Sequence, residues 1–166
     1  MLEPEKHHIS EKDETNNALT ENLTITNLKL TSEIQKSYSE HKTILNEYIG
    51  IGESKVPLLI YRYSKNVCSS CIMKDLDELT NIQSIIGKDK VLVLPAFDNT
   101  RDDRVILANE LSQFNYKNIP NELLVIPYDS VFMIRPYFAI INHTRNIEMI
   151  LFSQSIPFSE QMKKQE

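Results

Sequence analysis

Cysteine, glycine and tryptophan are nearly missing from this chain: its 166 residues hold two cysteines, three glycines and no tryptophan. No stretch reaches the roughly 18 apolar residues of a membrane span, and residues 1–30 lack the apolar centre of a signal peptide. No block of Lys or Arg is long enough for a nucleic-acid footprint, and a formal net charge of −5 argues against one. Nucleic acid is therefore not expected as a partner, and a membrane only through a segment outside these residues. At face value these absences suit a soluble cytoplasmic protein. With a targeting segment lying beyond these residues, they suit an extracytoplasmic, membrane-anchored one. Two cysteines are too few to report the redox compartment by count.

What is present is unevenly spread. Hydrophobic residues make up 41% of the chain, enough for a core of one ordinary domain with an appendage. Residues 1–17 are polar and charged and are expected to be disordered or frayed. Over 18–49, Leu19, Leu23, Leu30, Ile34, Tyr38, His41, Leu45 and Tyr48 recur at helical spacing, and Gly50 and Gly52 end the pattern. The stripe is narrow. It suits a helix lying on the domain, a self-associating coiled-coil arm or a stalk, and the arm is expected to lie outside the core of residues 50–166.

After Gly52 the texture changes. "VPLLIYRYS" (56–64) and "KVLVLPAF" (90–97) read as strands, with a bulge or strand end expected near Pro95. Between them, residues 69–86 place Ile72, Leu76, Leu79 and Ile86 on one helical face, and Gly87 can cap it. Thr100 can cap a helix over 101–116 with Val105, Ile106, Leu111 and Phe114 as its buried positions. Residues 121–134 suit a short strand or a packed loop. "PYFAIIN" (136–142) and "IEMILFS" (147–153) form a hairpin across "HTRN", and "PFSEQMKKQE" (157–166) reads as a last helix.

Both cysteines, Cys68 and Cys71, fall within "NVCSSCIMK", where the first strand gives way to the first helix of the α/β part. Cys68 then sits at the helix N-terminus, where unpaired N–H groups and the helix dipole favour a thiolate. Cys71, one turn further, can reach it. A dithiol in a strand–helix unit suits thiol–disulfide exchange. Other chemistries fit less well. A zinc site wants four ligands, and His7, His8, His41 and His143 form no spaced pair in the domain body. A structural disulfide closing so small a loop would stabilise little. A Cys–His catalytic pair needs no second cysteine.

The strand "LLIYRY", the "CSSC" opening a helix, and "RPYFAII", in this order and followed by a hairpin, resemble a thioredoxin-fold domain. The likeness is greatest to the TlpA-like thiol–disulfide oxidoreductases and related thioredoxin-like proteins. The resemblance covers about two thirds of the chain, from Val56 onward. It implies a thioredoxin-like α/β fold, a central mixed sheet flanked by helices, with an N-terminal helical extension. It further implies an exposed nucleophile at Cys68, a resolving thiol at Cys71, and substrate contacts from Val67, Ser69, Ser70, Arg135 and Pro136. It makes Pro136 the family's cis-proline beside the sulfurs. The chain departs from thioredoxins proper in having Val67 where they have Trp, and Ser69-Ser70 where they have Gly-Pro. Arg62 stands where they carry a buried acid, and Lys65 where a peroxidatic enzyme has Thr. Arg62, Lys65 and Lys74 are expected at the surface.

These readings converge on a thiol–disulfide oxidoreductase acting on protein disulfides through Cys68 and Cys71, with no metal or organic cofactor. The alternative is a binding or assembly module of the same fold whose CSSC is slow or vestigial.

Overall fold

The computed structural model describes residues 4–50, 56–129 and 133–153. Helix α1 (Pro4–Ile49) opens the chain. Strand β1 (Leu58–Ser64), helix α2 (Ser69–Ile86), strand β2 (Val91–Ala96) and helix α3 (Arg101–Glu110) follow. Two short strands, β3 (Tyr128–Asp129) and β4 (Met133–Ile134), form a ribbon within the segment that suited a strand or a loop. The hairpin of β5 (Tyr137–Ile141) and β6 (Ile147–Phe152) comes last, and the helix expected over 157–166 lies outside the described residues.

The protein is mixed α/β, with a four-stranded mixed sheet in the order β2-β1-β5-β6 flanked by helices. β1 and β2 run parallel, as the helical crossover between them requires, while β5 pairs antiparallel with both β1 and β6. The 115–119 segment covers the outer edge of β2: Val93 donates to Asn115 O, and Lys117 and Ile119 donate to Val93 O and Pro95 O. Pro95 continues the strand towards that outer edge, where its missing N–H interrupts no pairing with β1, and the strand stops one residue later.

Alternation along the strands divides the core in two. Leu58, Ile60, Leu92, Leu94, Tyr137, Ala139 and Ile141 face one cluster. Tyr61, Tyr63, Val91 and Val93 face the other, beneath Ile72, Leu76 and Leu79 of α2 and Leu107 of α3. The first cluster is closed by Ile34, Tyr38, Leu45 and Ile49, all from α1. Polar ties fix the same half of the helix. Tyr38 donates to Arg145 O at 2.8 Å, Lys42 to Asn146 Oδ1 at 2.7 Å, and Ser37 Oγ accepts from Val125 N at 3.0 Å.

This corrects the expectation of an arm outside the core. The boundary drawn at residue 49 runs through one continuous set of buried side chains, because the sheet face above β1 and β5 has no other helix among the described residues to cover it. The helix also starts at Pro4, well before Ala18, so part of the stretch expected to fray is helical. Proline suits a first helical position, and no Pro or Gly follows until Gly50, whose φ of +65° ends the helix.

Helix α3 differs too. A capping box of Thr100 and Asp103 fixes its start and turns Asp103 and Leu107 inward. Val105 and Ile106, expected inside, are 53% and 40% exposed, and the helix ends at Glu110 with Leu111 and Phe114 buried in the turns beyond. Ile86, at the end of α2, is exposed as well.

Candidate functional site

Strand β1 ends at Ser64, and a tight turn with Val67 N donating to Ser64 O brings the chain to Cys68. Cys68 is the N-cap of α2, in extended conformation (φ −61°, ψ 138°), and its Sγ accepts the Cys71 N–H at 3.2 Å. Cys68 is exposed, whereas Cys71 is 9% exposed and packs into the first turn. Their Cα atoms stand 5.4 Å apart and the two sulfurs are joined as a disulfide. Ser70 Oγ lies 3.6 Å from Cys68 Sγ, and Ser69 and Ser70 face solvent while Val67 is half-buried.

Pro136 and Arg135 lie at the same end of the sheet. The β1–β5 register pairs Arg62 with Tyr137, which carries Pro136 to the level of Tyr63, just below the cysteine turn. Arg135–Pro136 is trans, however; among the described residues the cis peptide bond is Val56–Pro57. The backbone gives the reason. Pro136 O accepts Ser153 N–H at 2.9 Å, which extends the β5–β6 ladder, and Arg135 N–H donates to Pro127 O at 3.1 Å. The N–H of Arg135, a residue expected to contact substrate, is thus engaged by the protein, and its guanidinium lies 5.1 Å over the Phe152 ring.

Of the three charged residues expected at the surface near the site, Arg62 is placed differently, while Lys65 is exposed as expected. Arg62 is fully buried. It shares strand parity with Leu58 and Ile60, so it points into the core, where Nε and Nη2 both donate to Leu124 O at 3.0 and 2.7 Å. Leu94, Pro95, Ile119 and Pro120 supply further carbonyl acceptors. Burial lowers the Arg62 pKa to about 10, which leaves it protonated at neutral pH. Lys65 donates to the buried Asp103 at 2.6 Å, and this bond raises the lysine pKa and lowers that of the carboxylate. Lys74 is exposed, as expected.

Asp75 escaped the sequence reading. It is 4% exposed, one turn beyond Cys71 on the same face of α2, and accepts the Tyr61 hydroxyl at 2.7 Å. Burial, and next the Asp75 charge, push the Tyr61 phenol far up. The signal was the spacing: Cys71, Asp75 and Leu79 fall four residues apart on a face otherwise apolar. Above Tyr61, the Tyr63 and Phe138 rings stack at 5.4 and 4.7 Å.

Two hollows border the cysteine turn. One, about 700 Å³, opens at the C-terminal ends of β1 and β2 between Ser64, Asn66, Ala96, Phe97, Asp98 and Asn118. The other, about 190 Å³, lies between the start of α2 and α3. Among the described residues no three His, Cys, Asp or Glu side chains converge as a metal site. Chemically, an exposed sulfur at a helix N-terminus bonded to a buried one suits nucleophilic exchange at Cys68.

Comparison of the chain with family models, with curated proteins and with solved structures finds no match.

Proposed function

We propose that the protein is a thiol–disulfide oxidoreductase of thioredoxin-like fold, acting on protein disulfides. The observation that carries this reading is the Cys68–Cys71 disulfide at the start of α2, with one sulfur exposed and the other buried. The sheet order, with a parallel β1–β2 pair joined through α2 and an antiparallel β5–β6 hairpin, is compatible with the fold.

In the reducing direction the Cys68 thiolate attacks one sulfur of a substrate disulfide, forms a mixed disulfide and expels one substrate thiolate. The Cys71 thiolate then attacks Cys68 Sγ and releases the second. Two electrons pass to the substrate, and the protein returns to its Cys68–Cys71 disulfide. The reverse sequence oxidises a substrate dithiol. The dipole of α2 favours the Cys68 thiolate as attacker and as leaving group. The site brings together Val67, Ser69 and Ser70 around Cys68, with Pro136 at the same sheet end, as the surface a substrate meets.

Reduction of insulin by dithiothreitol tests this. Catalytic amounts of the full chain should accelerate insulin precipitation well above dithiothreitol alone, and Cys68→Ser should abolish the acceleration. A rate equal to that of dithiothreitol alone favours the second reading, a binding or assembly module. The outward apolar side chains of α1, Ile25 and Leu28 at 64% and 65% exposed, support that reading.

A further inference from the structure

The smaller hollow beside Cys68 has features that the exchange chemistry does not require. Its walls are apolar, formed by Val67 and Ile72 and Met73 of α2 on one side and Phe97 and Ile106 on the other. Ser69, next to Cys68, lies on its rim, so anything bound there sits beside the reactive sulfur. Two charged residues line it, Lys65 and Glu110. Lys65 is already held by Asp103. Glu110 is exposed at the end of α3, which leaves the groove with a net negative end.

Tyr63 also lines the groove. It is 1% exposed, and its hydroxyl is buried with no hydrogen-bond partner in the protein. Buried polar groups are almost always hydrogen-bonded, so such an atom in the wall of a groove points to a ligand group that completes it. The Glu110 charge, second to burial, pushes the Tyr63 phenol up, which puts the carboxylate within electrostatic reach of the hydroxyl. Apolar walls, an acceptor oxygen and a carboxylate together describe a long aliphatic stem ending in a cation.

We infer that this groove is a specificity subsite for a Lys or Arg side chain next to a disulfide cysteine of the substrate polypeptide, an inference that rests on the exchange reading above. The stem lies against Ile72, Met73 and Phe97, and the cationic head donates to Tyr63 Oη and meets Glu110.

The test uses the reduced full chain and three disulfide-linked homodimeric peptides that carry Lys, Leu or Glu directly after the cysteine. Second-order rate constants for disulfide reduction are measured at physiological salt. The Lys peptide should react roughly two- to fivefold faster than the Leu peptide, the range a partly screened charge contact gives, and the Glu peptide slowest. Glu110→Gln should bring the Lys-to-Leu ratio towards one, and Tyr63→Phe should lower it. Glu14→Gln, the same charge change on α1, should keep the ratio, which separates the groove from the overall negative charge. A Leu peptide as fast as the Lys peptide, or a ratio that Glu110→Gln leaves intact, overturns the subsite while exchange stands. No reaction with any of the three overturns the exchange reading and the subsite with it.

Discussion

The sulfur of Cys68 accepts the backbone N–H of Cys71, so the residue that opens α2 also caps it. Once the disulfide is reduced, the same N–H and the dipole behind it stabilise a thiolate at Cys68, while burial opposes one at Cys71. Iodoacetamide at neutral pH should therefore alkylate Cys68 at least about tenfold faster than Cys71. Mass-spectrometric mapping of the labelled peptide against time checks this, and equal rates would refute the division of roles.

A chain beginning near Gly50 should not fold. Removing α1 uncovers the face of Leu58, Ile60, Tyr137 and Ala139 and deletes the four α1 residues of that cluster. At about 1.5–3 kcal/mol for each large side chain, the loss approaches the whole stability of a domain this size. Within the full chain, Ile34→Ala alone should cost about 2–4 kcal/mol in urea unfolding. A soluble truncation with a cooperative melt would show that the helix is dispensable.

Replacing Arg62 by Met should cost at least about 3 kcal/mol, because five backbone carbonyls each lose a donor inside the core. Arg62→Lys should recover only part of this, since an ammonium cannot span the same set of acceptors. Urea midpoints of the two variants decide it; near-wild-type stability for Arg62→Met would mean that water replaces the guanidinium.

The Lys65–Asp103 pair gives stability a defined pH window. The folded Asp103 pKa lies below its ordinary 3.8, so its contribution is present above that value and is lost as pH falls through the folded one. The folded Lys65 pKa lies above 10.5, so its contribution is complete below that value and is lost as pH rises through the folded one. Wild type should exceed Lys65→Met in melting temperature between these limits. The difference should shrink in acid below about pH 4 and at high salt. A difference constant down to pH 2 would locate the effect in packing instead.

Much of the element order could be read from the sequence because strand and helix periods differ so clearly after Gly52. The cysteine turn was legible because its spacing and its place at a strand–helix junction agree. Other features were hidden for identifiable reasons. The stripe of α1 is narrow because the sheet supplies the other half of its core, which one helix cannot reveal. Arg62 was expected outside because arginine is rarely fully buried, although its parity with Leu58 and Ile60 pointed inward. Val105 and Ile106 lost their burial to Asp103 and Leu107, since the capping box and Lys65 set the rotation of α3. The cis bond expected at Pro136 came chiefly from resemblance, and the pairing of Pro136 O with Ser153 and of Arg135 N–H with Pro127 defines the local backbone instead.

Arg62 gathers five main-chain oxygens, those of Leu94, Pro95, Ile119, Pro120 and Leu124. Such a clamp is indifferent to the side chains at the positions it holds. Leu124 and Ile119 answer to the core for their size, and Asn121 holds the loop by accepting Ile126 N–H at 2.8 Å, while Glu122, exposed in the same loop, reaches the guanidinium only through its charge. Position 122, beside the larger hollow, can therefore change its side chain, and with it the chemistry the loop presents, while the loop's path stays pinned. One buried guanidinium uncouples the path of that rim from the side chain it shows at 122.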